Sequence, residues 1–182
     1  TDGAEWHLYA HSGQALSLVS SFLVDSSKPD VEGLTIWLEG VLATTQKILP
    51  TPKEIDQRLG SSSPGHKLDR TELTALYKQH QSLPSIQLKR ELWARLLTTA
   101  FGTPFQDTDE LFIEHTLLVV TAEVIAHALM GWNPADPGLP AASILSGQLF
   151  ATAEVTGVVE SDFFDWIVEL PGGERFVKEL AR

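Results

Sequence analysis

Apolar residues recur at helical spacing through residues 91–132, which makes this the most strongly patterned stretch of the chain. Gly102 and Pro104 interrupt the pattern, and these residue types are typical of the end of a helix. Asp107, followed three residues later by Glu110, is a capping-box signature and predicts that a second helix starts there. The stretch therefore predicts two helices separated by a short break.

The second of these helices, at about residues 109–130, is apolar on several sides. A helix of this kind is normally surrounded by other elements, so we expect it to be the central helix of an all-α layer. Charged residues and histidines interrupt any run of the roughly 20 apolar residues that a membrane span requires, so we predict no membrane partner. One apolar stripe comprises Leu111, Leu118, Ala122, Ile125 and Leu129, and the apolar residues on other sides are Phe112, Ile113, Leu117, Val120 and Val124.

The N-terminal residues show a different period. In residues 5–10 (EWHLYA), Trp6, Leu8 and Ala10 alternate with polar residues or tyrosine, which predicts a strand. A turn signal at residues 11–14 follows. Residues 15–24 then read as a second strand or as a short helix, and the hairpin is slightly favoured. A lone hairpin is only marginally stable in water, so it should be the edge of something larger or pack on the helices.

Turn and cap residues divide the remainder into helices. Asp30 can cap one helix, and Thr51 can cap a short helix that starts at Pro52 and points Ile55 and Leu59 inward. Asp69 can cap the next helix, and Ser161 can cap a later one. The predicted helices cover about residues 31–47, 70–80, 140–153, 162–169 and 174–182, in addition to the short helix and the central pair.

These elements predict a mainly α fold: a multi-helix bundle around a long central helix at about residues 109–130, with a short N-terminal β-hairpin. We expect residues 1–24 to be the hairpin and residues 25–182 to be a helical connector domain. Residues 60–65 (GSSSPG) are predicted to be a flexible loop, the best candidate for mobility or for a boundary.

Charge is distributed unevenly along the chain, whose net charge is −11. Residues 47–95 carry nine bases against five acids, whereas residues 96–182 carry thirteen acids against three bases. Because phosphate contacts dominate affinity for nucleic acid, only the basic middle segment could face DNA. The alternative is a solvated helical face of mixed charge. The candidate DNA-facing residues are Arg70, Lys78, Lys89, Arg90 and Arg95.

A metal site would have to be built from residues of the central helix. Glu123 and His127 are four residues apart and share a helix face, as metal ligands often do. His115 lies about 120° from His127 around the helix, so Glu114, His115, Glu123 and His127 cannot converge on one ion from this helix alone. The alternative is a polar strip with a hydrogen-bonded core histidine.

Motifs for covalent or nucleotide chemistry are absent from the sequence. There is no cysteine, no G-x-S-x-G elbow, no G-x-G-x-x-G and no Walker loop. We therefore predict no catalytic, cofactor-binding or metal-binding residue. Of the five tryptophans, Trp93 alone sits beside several bases, where it could stack on nucleic-acid bases if it were exposed.

Five strings resemble one family. Residues 1–9 (TDGAEWHLY) are similar to a T-D-G-x-x-W-x-L-Y strand that closes a nuclease-like domain. Residues 91–97 (ELWARLL) and 109–116 (DELFIEHT) are similar to an L-W-x-x-L-L … D-E-L-F-[IV]-x-H-T signature, and residues 157–166 and 173–176 match the region's tail. Together they resemble the helical region before the methyltransferase domain of N-6 adenine-specific DNA methylases in single-chain restriction–modification enzymes.

The resemblance implies a cytoplasmic parent enzyme of phage defence that methylates adenine in DNA with S-adenosylmethionine and carries a nuclease. Because the sequence starts with Thr1 rather than Met, we expect an excised or processed piece, with no cofactor of its own. Its partners would be the flanking methyltransferase and nuclease-like domains, and DNA through the parent. The alternatives are a stand-alone helical protein-interaction module and a metal hydrolase built on His115 and His127.

Overall fold

The chain folds into a β-hairpin followed by helices, which confirms the predicted mainly α class. The computed structural model describes residues 1–12, 15–42, 48–103 and 105–182, so part of the predicted turn, the predicted helix end at 43–47 and Pro104 lie outside the described residues. The strands are β1 (Glu5–Ser12) and β2 (Ala15–Leu23), and the helices are α1 (Val31–Leu42), α2 (Pro52–Leu59), α3 (Pro64–His80), α4 (Pro84–Phe101), α5 (Asp109–Leu129), α6 (Ala141–Leu145), α7 (Gln148–Thr152), a 3₁₀ helix (Phe163–Glu169) and α8 (Gly173–Leu180).

Internal contacts divide the chain into two compact units, Thr1–Glu72 and Leu73–Arg182. The hairpin, α1 and α2 belong to the first unit, and α4 to α8 belong to the second. The division into residues 1–24 and 25–182 stays a prediction.

The hairpin packs on α1, as expected for a two-stranded sheet that needs support. β1 and β2 are antiparallel, and an irregularity between Leu8 and Tyr9 shifts their register. Trp37 of α1 is buried and donates a hydrogen bond of 3.1 Å from Nε1 to Ser20 Oγ of β2. The Phe22 ring lies 6.5 Å from the Trp37 ring. One face of the hairpin is therefore anchored to the first helix.

Two predicted caps of the first unit are confirmed. Asp30 Oδ1 accepts a hydrogen bond of 2.8 Å from the Gly33 N–H at the start of α1. Thr51 Oγ1 accepts one of 3.3 Å from the Glu54 N–H at the start of α2. Each side chain satisfies a backbone donor that has no partner within its helix, which is why the helices begin where they do.

The prediction that Ile55 and Leu59 point inward was wrong. Their exposed fractions are 47% and 52%. α2 is held instead by its polar side, where Arg58 pairs with Glu39 of α1 and, at 2.8 Å, with Glu54. Ion pairing, rather than an apolar face, therefore orients this short helix.

Helix α3 begins six residues earlier than predicted, so the loop at 60–65 is shorter than expected and Asp69 is not a cap. The buried Ser63 is the cap, because its Oγ accepts a hydrogen bond of 3.1 Å from the His66 N–H. Pro64 follows at the first helical position, where its missing N–H costs nothing. A serine followed by proline starts the helix before the chain reaches Asp69.

The predicted break between the two central helices is confirmed, but the predicted capping box was wrong. Gly102 ends α4 in the left-handed conformation, with φ of 67°. Thr108, not Asp107, caps α5, because Thr108 Oγ1 accepts a hydrogen bond of 3.2 Å from the Leu111 N–H. Asp107 instead accepts one of 2.8 Å from Arg90.

Helix α5 is packed on one side and is not surrounded, which corrects the sequence-based expectation. α4, α6 and the 3₁₀ helix contact the side that carries Phe112 and Leu117. Much of the predicted stripe faces outward, with Leu118 67% and Leu129 83% exposed. Among the described residues, α5 is long and apolar enough to cross a membrane by length and composition alone, and 44% of its most apolar window is buried.

Two C-terminal elements differ from the predicted helices. The predicted helix at 140–153 is split into α6 and α7 at Gly147, where φ is 66° and a Cβ would lie 2.0 Å from the Val159 oxygen. The next element is a 3₁₀ helix, and Asp162 rather than Ser161 caps it: Asp162 Oδ1 accepts a hydrogen bond of 2.6 Å from the Phe164 N–H. The final helix, α8, is confirmed.

Candidate functional site

An aromatic cluster joins α3, α4, α5 and the 3₁₀ helix in the second unit. It consists of Tyr77, Trp93, Phe112, His115 and Trp166. The Phe112 ring lies 5.1 Å from Trp93 and 6.1 Å from Trp166, between centroids. Tyr77 meets Trp166 edge-on at 5.7 Å, and His115 meets Trp93 edge-on at 5.6 Å. Edge-on and stacked contacts of this kind add to the free energy of burial.

Trp93 and Tyr77 of the aromatic cluster each donate a side-chain hydrogen bond. Trp93 Nε1 donates to His115 Nδ1 at 3.2 Å, and Tyr77 donates from its hydroxyl to Asp109 Oδ1 at 3.1 Å. Burial raises the pKa of Tyr77 to about 12, with a contribution from the neighbouring Asp109 charge. Trp93 is only 2% exposed, so it cannot stack on nucleic-acid bases in this conformation.

The two histidines of α5 take opposite tautomers. An indole N–H can only donate, so His115 Nδ1 accepts from Trp93 and, in the neutral ring, the proton is on Nε2. His127 Nδ1 lies 2.8 Å from the Glu123 carbonyl oxygen, which can only accept, so His127 carries its proton on Nδ1. His127 Nε2 is buried and has no hydrogen-bond partner among the described residues.

The candidate metal ligands do not converge. The ring of His127 is enclosed by Phe150 at 4.8 Å and Trp132 at 5.5 Å, whereas His115 belongs to the aromatic cluster. Across residues 1–12, 15–42, 48–103 and 105–182, no group of three or more histidines and carboxylates is arranged to hold a metal ion. Glu114, His115, Glu123 and His127 are therefore separate features of one helix.

A carboxylate cluster lies beside the aromatic cluster and was not predicted. It consists of Glu123 of α5, Asp162, Asp165 and Glu169 at the 3₁₀ helix, and Lys89 of α4. Lys89 Nζ lies 2.5 Å from Asp165 Oδ1 and 2.5 Å from Glu169 Oε1. No sequence signal could have assembled this set, because Lys89 is separated from its two partners by 76 and 80 positions.

The carboxylate cluster contains four carboxyl groups and one lysine, and the pKa values of its carboxyl groups are shifted in different directions. Glu123 is 8% exposed, and burial, with the nearby charges of Asp162 and Asp165, raises its pKa to about 8. Burial also raises the pKa of Asp162, against the Phe164 N–H that stabilises its charged form. The bond from Lys89 lowers the pKa of Glu169. Burial thus favours the protonated form of Glu123, whereas the bond from Lys89 favours the charged form of Glu169.

Three of the five candidate DNA-facing residues lie on α4 and are paired with carboxylates. Lys89 belongs to the carboxylate cluster. Arg90 binds Asp107 at 2.8 Å and Asp109 at 3.1 Å, and Arg95 binds Glu91 at 2.5 Å. These ion pairs neutralise positive charge that would otherwise be available for contacts with DNA phosphates.

The other two candidates, Arg70 and Lys78, lie on α3. Both side chains are exposed. They are eight positions apart, which places them about 80° apart around the helix axis.

No known protein family, curated protein or solved structure matches this chain. Within the described residues, the geometry defines a helical unit that contains a packed aromatic cluster and, beside it, a partly buried cluster of carboxylates.

Proposed function

We propose that this chain is a non-catalytic helical connector of a DNA restriction–modification enzyme. In this proposal it orients a methyltransferase module, which uses S-adenosylmethionine, relative to a nuclease-like module in the cytoplasm. The chain itself contributes no catalytic residue and binds no cofactor. DNA is contacted through the parent enzyme.

The aromatic cluster is the observation that carries the proposal. Three of the strings that resemble the methylase family supply residues to it. Trp93 comes from residues 91–97, Phe112 and His115 come from residues 109–116, and Trp166 comes from residues 157–166. Strings that are far apart in the chain therefore encode one buried joint between helices. A rigid joint without exposed reactive groups suits a spacer between catalytic modules.

Exposed apolar residues on the two long helices supply the surface that a connector needs. Leu88 and Leu96 of α4 are 55% and 53% exposed, and Leu118 and Leu129 of α5 are more exposed still. Where exposed apolar residues form one contiguous patch, such a patch is typical of contacts with another protein. The same surface favours the alternative, a stand-alone helical protein-interaction module.

The experiment uses the whole natural protein and measures adenine methylation of DNA with labelled S-adenosylmethionine. The connector proposal expects methylation by the wild type. It also expects that Leu118→Glu together with Leu129→Glu leaves the thermal stability of this region unchanged and impairs coupling between methylation and DNA cleavage. If the whole protein does not methylate DNA, the proposed parent enzyme is refuted. The stand-alone protein-interaction module is then the remaining candidate.

The DNA-facing part of the proposal has its own test. Lys78→Glu should weaken DNA binding. A combined variant that adds Arg70→Glu, Lys89→Glu and Arg90→Glu should also flatten the salt dependence, by about one unit of slope for each phosphate that the protein no longer binds. Lys28→Glu, at an exposed loop position outside the basic segment, is the matched control. Unchanged DNA affinity and salt slope in the combined variant would exclude DNA binding by this region.

A further inference from the structure

The side of α5 that faces away from the core carries a narrow row of apolar residues. Leu118, Ala122, Ile125 and Leu129 follow one another at intervals of four, three and four residues, and all four are exposed. At about 100° per residue they lie within an arc of about 60° around the helix axis. Alternating intervals of three and four residues are typical of the seam between two paired helices, whereas a helix that faces a core shows a wider stripe. These four residues, here called the α5 seam, therefore have the spacing that fits one further helix.

The residues that border the α5 seam leave room for another helix. Thr121, Ala126 and Ala128 flank it, and all three are small and uncharged. At such flanking positions, charged side chains normally select the partner and the orientation of paired helices. The carboxylate closest to this side of α5 is that of Glu114, one turn before Leu118. A second α5 seam can therefore approach closely and meets no like charge along the four residues.

We propose that the α5 seams of two copies of this chain pack against each other in antiparallel orientation. In that orientation Leu118 lies opposite Leu129 of the second copy, and Ala122 lies opposite Ile125 of the second copy. Ala122, the small member, then faces a large side chain, so the two helices can interdigitate. Parallel packing in register would instead place Ala122 opposite Ala122, which leaves a gap, and would bring two Glu114 side chains together. The antiparallel pair is therefore favoured, whether or not the chain belongs to a methylase.

Charge argues against a membrane as the occupant of the α5 seam. Helices that lie on a membrane surface use Lys and Arg to attract anionic lipids. α5 contains neither residue type, and it carries Asp109, Glu110, Glu114 and Glu123. A different protein is also the poorer occupant, because the uncharged seam offers no charge by which such a partner would be selected. A second copy supplies the complementary surface with the same four residues.

The association should be weak and should strengthen with salt. The α5 seam spans about 17 Å along the helix, so the contact belongs with small, transient interfaces. We expect a dissociation constant of about 10–100 µM and a monomeric chain at about 1 µM. Each copy carries a net charge of −11, so two copies repel each other outside the seam. Because salt screens this repulsion, the dissociation constant should fall severalfold between about 0.05 and about 0.5 M NaCl.

The first test is sedimentation equilibrium of the full 182-residue chain at concentrations from about 1 to about 500 µM. We expect the average mass to rise from that of one copy toward that of two. Leu118→Glu combined with Leu129→Glu places charges in the α5 seam and should raise the dissociation constant at least about tenfold. The matched control is Leu88→Glu combined with Leu96→Glu, at two exposed leucines of α4, which should leave the dissociation constant unchanged.

Cross-linking tests the orientation and keeps most of the α5 seam intact. The chain has no cysteine, so a single cysteine can be introduced without interference. Leu118→Cys and Leu129→Cys are made separately, mixed at high concentration and oxidised. The antiparallel pair brings these two positions together but keeps each of them about 17 Å along the helix axis from the same position in the second copy. We therefore expect disulfides between the two variants and few in a solution of either variant alone.

Four results would overturn the proposal. A chain that stays monomeric up to about 500 µM does not self-associate in this way. An equal effect of the α4 control would place the contact elsewhere. Disulfides in Leu118→Cys alone, without disulfides between the two variants, would mean a parallel pair. Binding of the monomer to phosphatidylglycerol vesicles, lost in the glutamate variant, would assign the α5 seam to a membrane.

Circular dichroism shows whether each variant is folded. If the glutamate variant is unfolded, the cross-linking result decides, because it depends on one substitution in each copy and on the positions of the two sulfur atoms.

Discussion

Trp166 Nε1 donates a buried hydrogen bond of 3.2 Å to Thr116 Oγ1, although 50 positions separate the two residues. Thr116 in turn donates from its hydroxyl to the Phe112 carbonyl oxygen at 2.8 Å within α5. The Thr116 hydroxyl thus forms one hydrogen bond within α5 and a second one to the 3₁₀ helix. Because both residues are inaccessible to water, the Trp166 N–H depends on Thr116 for its hydrogen bond.

Replacing Thr116 with valine should destabilise the protein by about 1–3 kcal/mol, since the Trp166 N–H would remain buried without a partner. Thr116→Ser keeps the hydroxyl and should lose less than the valine variant. Chemical denaturation followed by circular dichroism measures both. A larger loss in the serine variant than in the valine variant would show that packing of the methyl group, not the hydrogen bond, decides stability at this position.

Leu117 and Leu118 are adjacent on α5, but only Leu117 is buried in the core. Leu117 is 1% exposed and Leu118 is 67% exposed. Leu117→Ala should cost about 2–5 kcal/mol because it leaves a cavity in the core. Leu118→Ala should change the free energy of unfolding by less than about 0.5 kcal/mol. Comparable losses in both variants would mean that another protein surface or an association between copies covers Leu118.

Lys178 is a buried lysine that stabilises a loop. Only 9% exposed, it donates from Nζ to the carbonyl oxygens of Pro134 and Asp136, at 2.8 Å each, and of Leu139. Lys178→Met should cost about 3 kcal/mol, because the three carbonyl oxygens would lose a charged donor. Lys78→Met, at an exposed site on α3, should cost less than about 0.5 kcal/mol. Thermal denaturation compares the two, and a small effect at Lys178 would exclude its role in the loop.

The ion pairs of Lys89 should make stability depend on pH. Lys89 lowers the pKa of Glu169, so this contribution is present above the ordinary Glu pKa of 4.5 and is lost as pH falls through the lowered folded-state value. Lys89→Met should therefore cost about 1 kcal/mol or more near pH 7 and less at about pH 3. Arg95→Met is the control, because its pair with Glu91 is exposed and should contribute under about 0.5 kcal/mol at either pH. A pH-independent loss in Lys89→Met would assign its effect to packing of the aliphatic stem.

Elements with strong local signals were predictable. The alternation in residues 5–10 predicted β1, and Asp30 and Thr51 were correctly predicted to cap α1 and α2. Local signals failed where two neighbouring residues could each cap the same helix. Ser63 started α3 before Asp69 could, and Thr108 displaced Asp107 because Asp107 accepts a hydrogen bond from Arg90 instead.

The carboxylate cluster was not predictable for a different reason. The position of Lys89 in a basic segment predicts a DNA-facing base. Its partners, Asp165 and Glu169, lie on the 3₁₀ helix, which is far from Lys89 in the sequence. Charge counted along the sequence says nothing about which acid will be folded against which base, because that choice belongs to the packing of helices.

For the stretch at residues 91–132, the sequence by itself determined that two apolar helices meet at a glycine break, since backbone conformation and apolar spacing are local properties. Only the tertiary structure decided which side of α5 is buried. Apolar residues occupy both sides, so burial was settled by where α4, α6 and the 3₁₀ helix pack. The same packing left Leu118 and Leu129 exposed and enclosed Glu123, whose chemistry depends on neighbours that its own helix does not supply.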